Sequence, residues 1–303
     1  MINLKPESEH TKGVYFALAA FLMWGLVPVY FKSVEHITAL EVVAHRILWS
    51  CVFLGAFIVV TRRLDDIIKL SRSPRIIYGL GLSALVISIN WLVFIWAVSQ
   101  DRIIETTLGY FINPLINILF GMIIFKERLR IGQWIAVALA AVGVLYQVVI
   151  LGQLPWVALV LACSFAIYGV LRKKIPVDSI SGLFVETLWL LPAALIYFGW
   201  LIWSGSLQFI TEGSNTTLLL LSAGLVTSLP LMAFASGARR LSLTLVGLLQ
   251  YIGPSIAFLI AVFYYNEPMD IHRLTAFLII WTALVIFSAE GLIQQKRSHI
   301  APA

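Results

Sequence analysis

Charge is what this sequence lacks. Asp, Glu, Lys and Arg make up 12% of its 303 residues, and 60% are hydrophobic; soluble globular domains are about 25% charged. So little polar side chain cannot coat a water-facing surface, and the solvent for most of the chain is lipid. Catalytic hardware is scarce too. The five histidines (His10, His36, His45, His272 and His299) are scattered, and neither HExxH nor GxSxG occurs. That argues against a membrane-embedded enzyme and against a bound metal or cofactor. There is no glycine-rich phosphate loop, so nucleotide hydrolysis is not expected and transport work would draw on a gradient. The two cysteines, Cys51 and Cys163, lie in apolar runs and read as small packing residues. The net charge of +6 comes from short basic clusters between apolar runs. That pattern is topological and is not a nucleic-acid footprint.

Ten apolar runs are there instead. Runs near 20 residues suit a hydrocarbon core about 30 Å thick. They predict an all-α membrane protein with spans at 13–31, 42–61, 76–98, 106–125, 131–150, 154–171, 180–203, 217–238, 241–265 and 271–289. The first reads as a span and not a cleaved leader, because the chain goes on spanning. The loops are short, so the distribution of basic residues sets orientation. With the N-terminus inside, 17 of the 21 Lys and Arg fall on the inner side. Three (Lys32, Arg102 and Arg273) fall outside, and Arg46 lies within a span. Both termini are therefore expected in the cytoplasm of a multi-pass inner (plasma) membrane protein. The expected segments are a tail at 1–12, a first half at 13–150, a second half at 151–290 and a tail at 291–303.

The halves repeat. Ile112-Asn113-Pro114 matches Ile252-Gly253-Pro254, Leu119 matches Leu259, Glu127 matches Glu267, and Leu48-Trp49 matches Leu188-Trp189, all 140 residues apart. Residues 105–131 and 245–271 share seven identities in 27. Five spans per half is an odd number, so the second half enters the membrane upside down. Inverted repeats allow two mirror-related conformations, and the substrate path is expected where the halves meet. Gly132, Ala136 and Ala140, then Ala158, Ala162 and Ala166, form small-residue stripes that read as packing seams.

Ionisable groups inside spans cost about 2.5–3.5 kcal/mol at a helix centre, so each needs a reason. Arg46 and Glu186 are the two clear cases and are repeat mates. They are expected at similar depths from opposite faces, too far apart to pair. Arg46 keeps its proton; it reads as an anion or carboxylate contact, or as a structural anchor. Glu186 reads as a proton-coupling group, or as a packing carboxyl. Tyr110, Asn113 and Asn117 share one face of the fourth span. Pro114 within it frees a backbone carbonyl. Gln250 is the mate of Tyr110, Asn90 lies beside Trp91 and Phe94, and Pro28 and Pro254 mark two more hinges. A central cavity with aromatic walls is expected. Asn90, Tyr110, Asn113, Asn117, Gln250 and Arg46 are its candidate substrate contacts; interhelical bonding of the amides is the plainer alternative. Glu127 and Glu267 read as interfacial ion pairs or caps.

These motifs carry a family resemblance. MWGLVPVYFK at 23–32, EVVAHRILWS at 41–50, NWLVFIWAV at 90–98, LGYFINPL at 108–115, YIGP at 251–254 and KERL at 126–129 resemble the EamA-type permeases of the drug/metabolite transporter superfamily, RarD branch. The resemblance implies ten helices in two inverted five-helix EamA repeats, with a central site mainly from spans 1, 3, 4, 6, 8 and 9. Gly253 and Ala257 stand where the first repeat has Asn113 and Asn117, so the fourth span is expected to carry more of the recognition. The expected function is secondary active transport of a small organic metabolite or drug-like molecule by alternating access, directed outward. Flipping a lipid-linked substrate, or an accessory membrane subunit, is the alternative.

Overall fold

In lipid every backbone N–H and C=O must be paired within its own segment, so a chain this apolar forms helices. The structure, a computed structural model, describes residues 6–100, 102–152, 155–209, 211–265 and 271–300, and every regular element among them is an α-helix. These are α1 (Pro6–Ser33), α2 (Ala39–Val60), α3 (Leu64–Ser71), α4 (Pro74–Ser99), α5 (Ile103–Phe125), α6 (Ile131–Leu151), α7 (Trp156–Lys174), α8 (Ser179–Trp203), α9 (Ser214–Arg240), α10 (Leu243–Gln250), α11 (Ile252–Phe263) and α12 (Ile271–Ile300). Among the described residues nine stretches are long and apolar enough to span, with α10 and α11 making one of them; Leu274–Glu290 of α12 is a shorter tenth. The molecule is thus a bundle of ten transmembrane helices in two inverted five-helix repeats.

The repeat is visible in the helix starts. Ala39 and Ser179, Pro74 and Ser214, Ile103 and Leu243, and Ile131 and Ile271 each begin helices 140 residues apart. Packing follows the same exchange of halves. α4 lies on α7 and α8 as α9 lies on α1 and α2; α5 lies on α7 as α11 lies on α1. The pairs α2–α8, α5–α10 and α6–α12 map onto themselves. The alanine stripes are buried in these seams, with Ala136 and Ala140 in α6 and Ala158, Ala162 and Ala166 in α7. Gly247 is needed where α10 crosses α5, since a Cβ there would stand 2.7 Å from the Pro114 carbonyl oxygen.

Three features depart from the sequence reading. α3 occupies a stretch read as loop, with Leu64, Ile67 and Ile68 on one face and Asp65, Asp66 and Lys69 elsewhere; such a short amphipathic helix suits the membrane interface. The ninth span is two helices, α10 and α11, meeting at Tyr251. Pro254 lacks the N–H that would have bonded the Gln250 carbonyl. Pro28 and Pro114 sit inside continuous helices. Third, α7 runs on to Lys174, past the expected end at 171.

Candidate functional site

Extending α7 takes Arg172 into the protein, 1% exposed. There it meets Glu186 of α8, 2% exposed, with Nη1 3.3 Å from Oε1. The Tyr168 hydroxyl donates to the other Glu186 oxygen at 3.3 Å, and Arg172 Nη2 donates to the Ser179 carbonyl. Space for the guanidinium depends on Gly182, where a Cβ would fall 2.2 Å from Nη1.

Around this pair the same end of the bundle is laced shut. Lys173 donates to the carbonyls of Ala238 and Leu241, and Arg239 to that of Val177. The hydroxyls of Ser179 and Ser236 are 2.7 Å apart, and Arg240 bonds Glu9 at 2.9 Å. We term this the basic end. Next toward the bundle centre, Trp24 of α1, Phe165 of α7 and Phe234 of α9 form an aromatic layer with ring centroids 5.1 to 5.6 Å apart.

The opposite end is built differently. The repeat mates of Lys173, Ser179 and Ser236 are Ser33, Ala39 and Trp96, so neither the lysine nor the serine pair is repeated there. α7 packs on α9, but their mates α1 and α4 are not a close-packing pair among the described residues. Arg46 of α2 and Tyr110 of α5 lie here. Arg46 Nε donates to Thr227 Oγ1 of α9 at 2.9 Å, and its guanidinium carbon is 4.7 Å from the Trp91 ring centroid and 5.6 Å from that of Phe31. The side chains of Tyr30 and Tyr110 lie within its electrostatic range, and the Tyr30 hydroxyl donates to the Leu219 carbonyl of α9 at 3.0 Å. Tyr110 is 48% exposed two turns into α5, and its ring meets Phe94. α2 and α5 are not themselves close-packed. Arg46 and Tyr110 thus lie at this end against aromatic side chains of α1 and α4.

A model of the EamA-like transporter family matches residues 11–149 and again residues 154–289, once per half. The chain belongs to the EamA-like transporter family. It is 45% identical over 301 residues to an uncharacterized transporter of Vibrio cholerae serotype O1, covering 99% of each chain. It is 44% identical over 293 residues to protein RarD of Escherichia coli K12, covering 96% of this chain and 99% of that one. A solved crystal structure shares the fold with a TM-score of 0.67 at 18% identity, over 90% of this chain and 96% of that one. The chain is an EamA-type permease of the RarD branch, a multi-pass membrane transporter.

Within this EamA bundle the candidate contacts divide. Arg46 bonds Thr227 and Tyr110 meets Phe94, both apart from the amides. The amides are engaged between helices: Asn113 Nδ2 donates to the Ala162 carbonyl at 2.6 Å, and Asn117 Nδ2 to Asn113 Oδ1 at 3.0 Å and to Gln250 Oε1 at 2.9 Å. That chain ties α5 to α7 and α10. Asn90 Nδ2 bonds the Leu161 carbonyl and Ser164 Oγ, both at 2.9 Å, tying α4 to α7. Glu127 accepts from the backbone N–H groups of Leu243 and Thr244 and from the Thr244 hydroxyl, capping α10. Its mate Glu267 lies outside the described residues. Arg46 and Glu186 do not pair with each other; Glu186 takes Arg172 instead. Arg172 escaped the sequence reading because Arg172-Lys173-Lys174 looks like a loop cluster. Thr227 and Tyr30 also went unmarked, being ordinary residue types for a span.

Proposed function

We propose that this protein is a secondary active transporter that moves a small organic molecule outward by alternating access. One observation carries the reading: Lys173, Arg239 and the Ser179–Ser236 contact fasten α7 and α8 to α9 at the basic end, and the sequence does not repeat the lysine or the serine pair at the matching positions Ser33, Ala39 and Trp96, which supports a path between the halves that is closed there. The 17-to-3 split of basic residues favours a cytoplasmic basic end, and closure at that end supports an outward-facing reading of this conformation. The absence of a phosphate-binding loop from the sequence leaves a gradient as the energy source. Glu186 is the candidate proton-coupling group, because opening the basic end would part it from Arg172 and admit water to a bare carboxylate.

The latch provides the test. Ser179 and Ser236 touch through their hydroxyls, so cysteines at both positions are placed to form a disulfide. In a background with Cys51→Ala and Cys163→Ala, oxidising Ser179→Cys/Ser236→Cys should abolish efflux of preloaded cell metabolites from proteoliposomes. Reductant should restore it. Undiminished efflux through the oxidised protein would rule out a cycle that opens this end.

A further inference from the structure

Arg46 and Arg172 both lie within spans, and of these two only Arg172 has an acidic partner among the described residues. Arg172 has Glu186 at 3.3 Å. Arg46, the repeat mate of Glu186, has no acidic partner among the described residues. An arginine carries five N–H donors. One of them, on Nε, goes to the Thr227 hydroxyl, and those on the two terminal nitrogens go to no group among the described residues. A residue serving as an anchor between helices would spend those donors on backbone carbonyls, as Arg172 does on Ser179. The Trp91 ring at 4.7 Å steadies the cation without quenching its charge. The Tyr30 hydroxyl is already given to the Leu219 carbonyl at 3.0 Å, whereas that of Tyr110, within electrostatic range of Arg46, is a donor of the kind that helps to complete an oxyanion's shell.

We infer that Arg46 receives the acidic group of the transported molecule, making the substrate a small organic acid with a carboxylate and an apolar body. The inference rests on the transporter reading above. A guanidinium fork matches the two oxygens of a carboxylate bidentately. One cation matches one negative charge; of the other cations at that end, Lys32 is seated over the Tyr265 ring at 4.1 Å and Arg102 is paired with Glu105. A phosphate dianion would bring excess charge into a site of low dielectric constant, where it is costly. The apolar body belongs with the aromatic wall of Trp91 and Phe31.

The experiment uses full-length protein in proteoliposomes loaded with an unfractionated cell metabolite extract, with the compounds that leave identified by mass spectrometry. Wild type, Arg46→Gln and Arg46→Lys are compared, each shown to be folded by its melting curve. The expected result is that the escaping compounds carry a carboxylate. Their initial rates should fall at least tenfold in Arg46→Gln and by less in Arg46→Lys, which keeps the charge without the fork. Escape of compounds lacking any acidic group overturns the inference and leaves the transporter reading intact. So does undiminished escape of acids through Arg46→Gln. Escape of nothing through folded wild type overturns both.

Discussion

A buried ion pair is a fragile arrangement at the scale of single residues. Removing one partner leaves an unpaired charge and costs about 3–5 kcal/mol, whereas replacing both by apolar groups of similar volume is often neutral or better. Glu186→Gln should therefore lower the melting temperature sharply by leaving Arg172 uncompensated, and Arg172→Met/Glu186→Met should recover most of the loss. The double variant also separates packing from coupling. If Glu186 carries the proton, a pH dye in proteoliposomes should report proton movement with wild type and none with the double variant, although both are folded. Equal proton movement through both would return Glu186 to a purely structural and gating part. Gly182→Ala should behave like a milder Glu186→Gln, since its Cβ would displace the guanidinium.

Helix ends show what the sequence could and could not disclose. The spans, the inverted repeat and the breakable ninth helix were legible, because hydropathy, basic clusters and proline act locally. The pairing of Arg172 with Glu186 was not, since nothing along α7 tells that its last turn is buried against α8. The amides were half legible. Their face of α5 was read correctly, but Asn113 and Asn117 meet Ala162 and Gln250, and only tertiary contact shows that neighbouring helices come close enough to engage them. Glu127 belongs to the same lesson. It closes α5 while capping α10, 117 residues further along at Thr244. A cap is worth about 0.5–2 kcal/mol, so Glu127→Ala should destabilise the protein within that range. Glu127→Gln should lose less, because an amide oxygen still accepts. Thermal melts of purified protein decide this, and an unchanged melting temperature in Glu127→Ala would show that α10 holds its start without the cap.

At the scale of the whole molecule the two halves are related by inversion but fastened unequally. An ideal inverted repeat would give inward- and outward-facing states of similar energy. Here Lys173, Arg239 and the Ser179–Ser236 contact favour closure of the basic end, and the sequence repeats neither the lysine nor the serine pair at the mates Ser33, Ala39 and Trp96. The resting protein should therefore sit outward-facing, and weakening the latch should move the population. Hydrogen bonds from a charged donor contribute about 1.5–3 kcal/mol, which corresponds to a population shift of roughly ten- to a hundredfold. Lys173→Ala removes such a donor from the Ala238 and Leu241 carbonyls. The readout is thiol alkylation at two reporters, each introduced alone into the background without Cys51 and Cys163. One is Ser236→Cys, inside the latch and 8% exposed; the other is Tyr110→Cys, 48% exposed and at the proposed cavity. Lys173→Ala should raise the alkylation rate of the first at least tenfold and lower that of the second. The reciprocal change is the decisive part. Mere loosening of the basic end would speed the latch reporter and leave the cavity reporter alone, because only a shift between two global states closes one side as it opens the other.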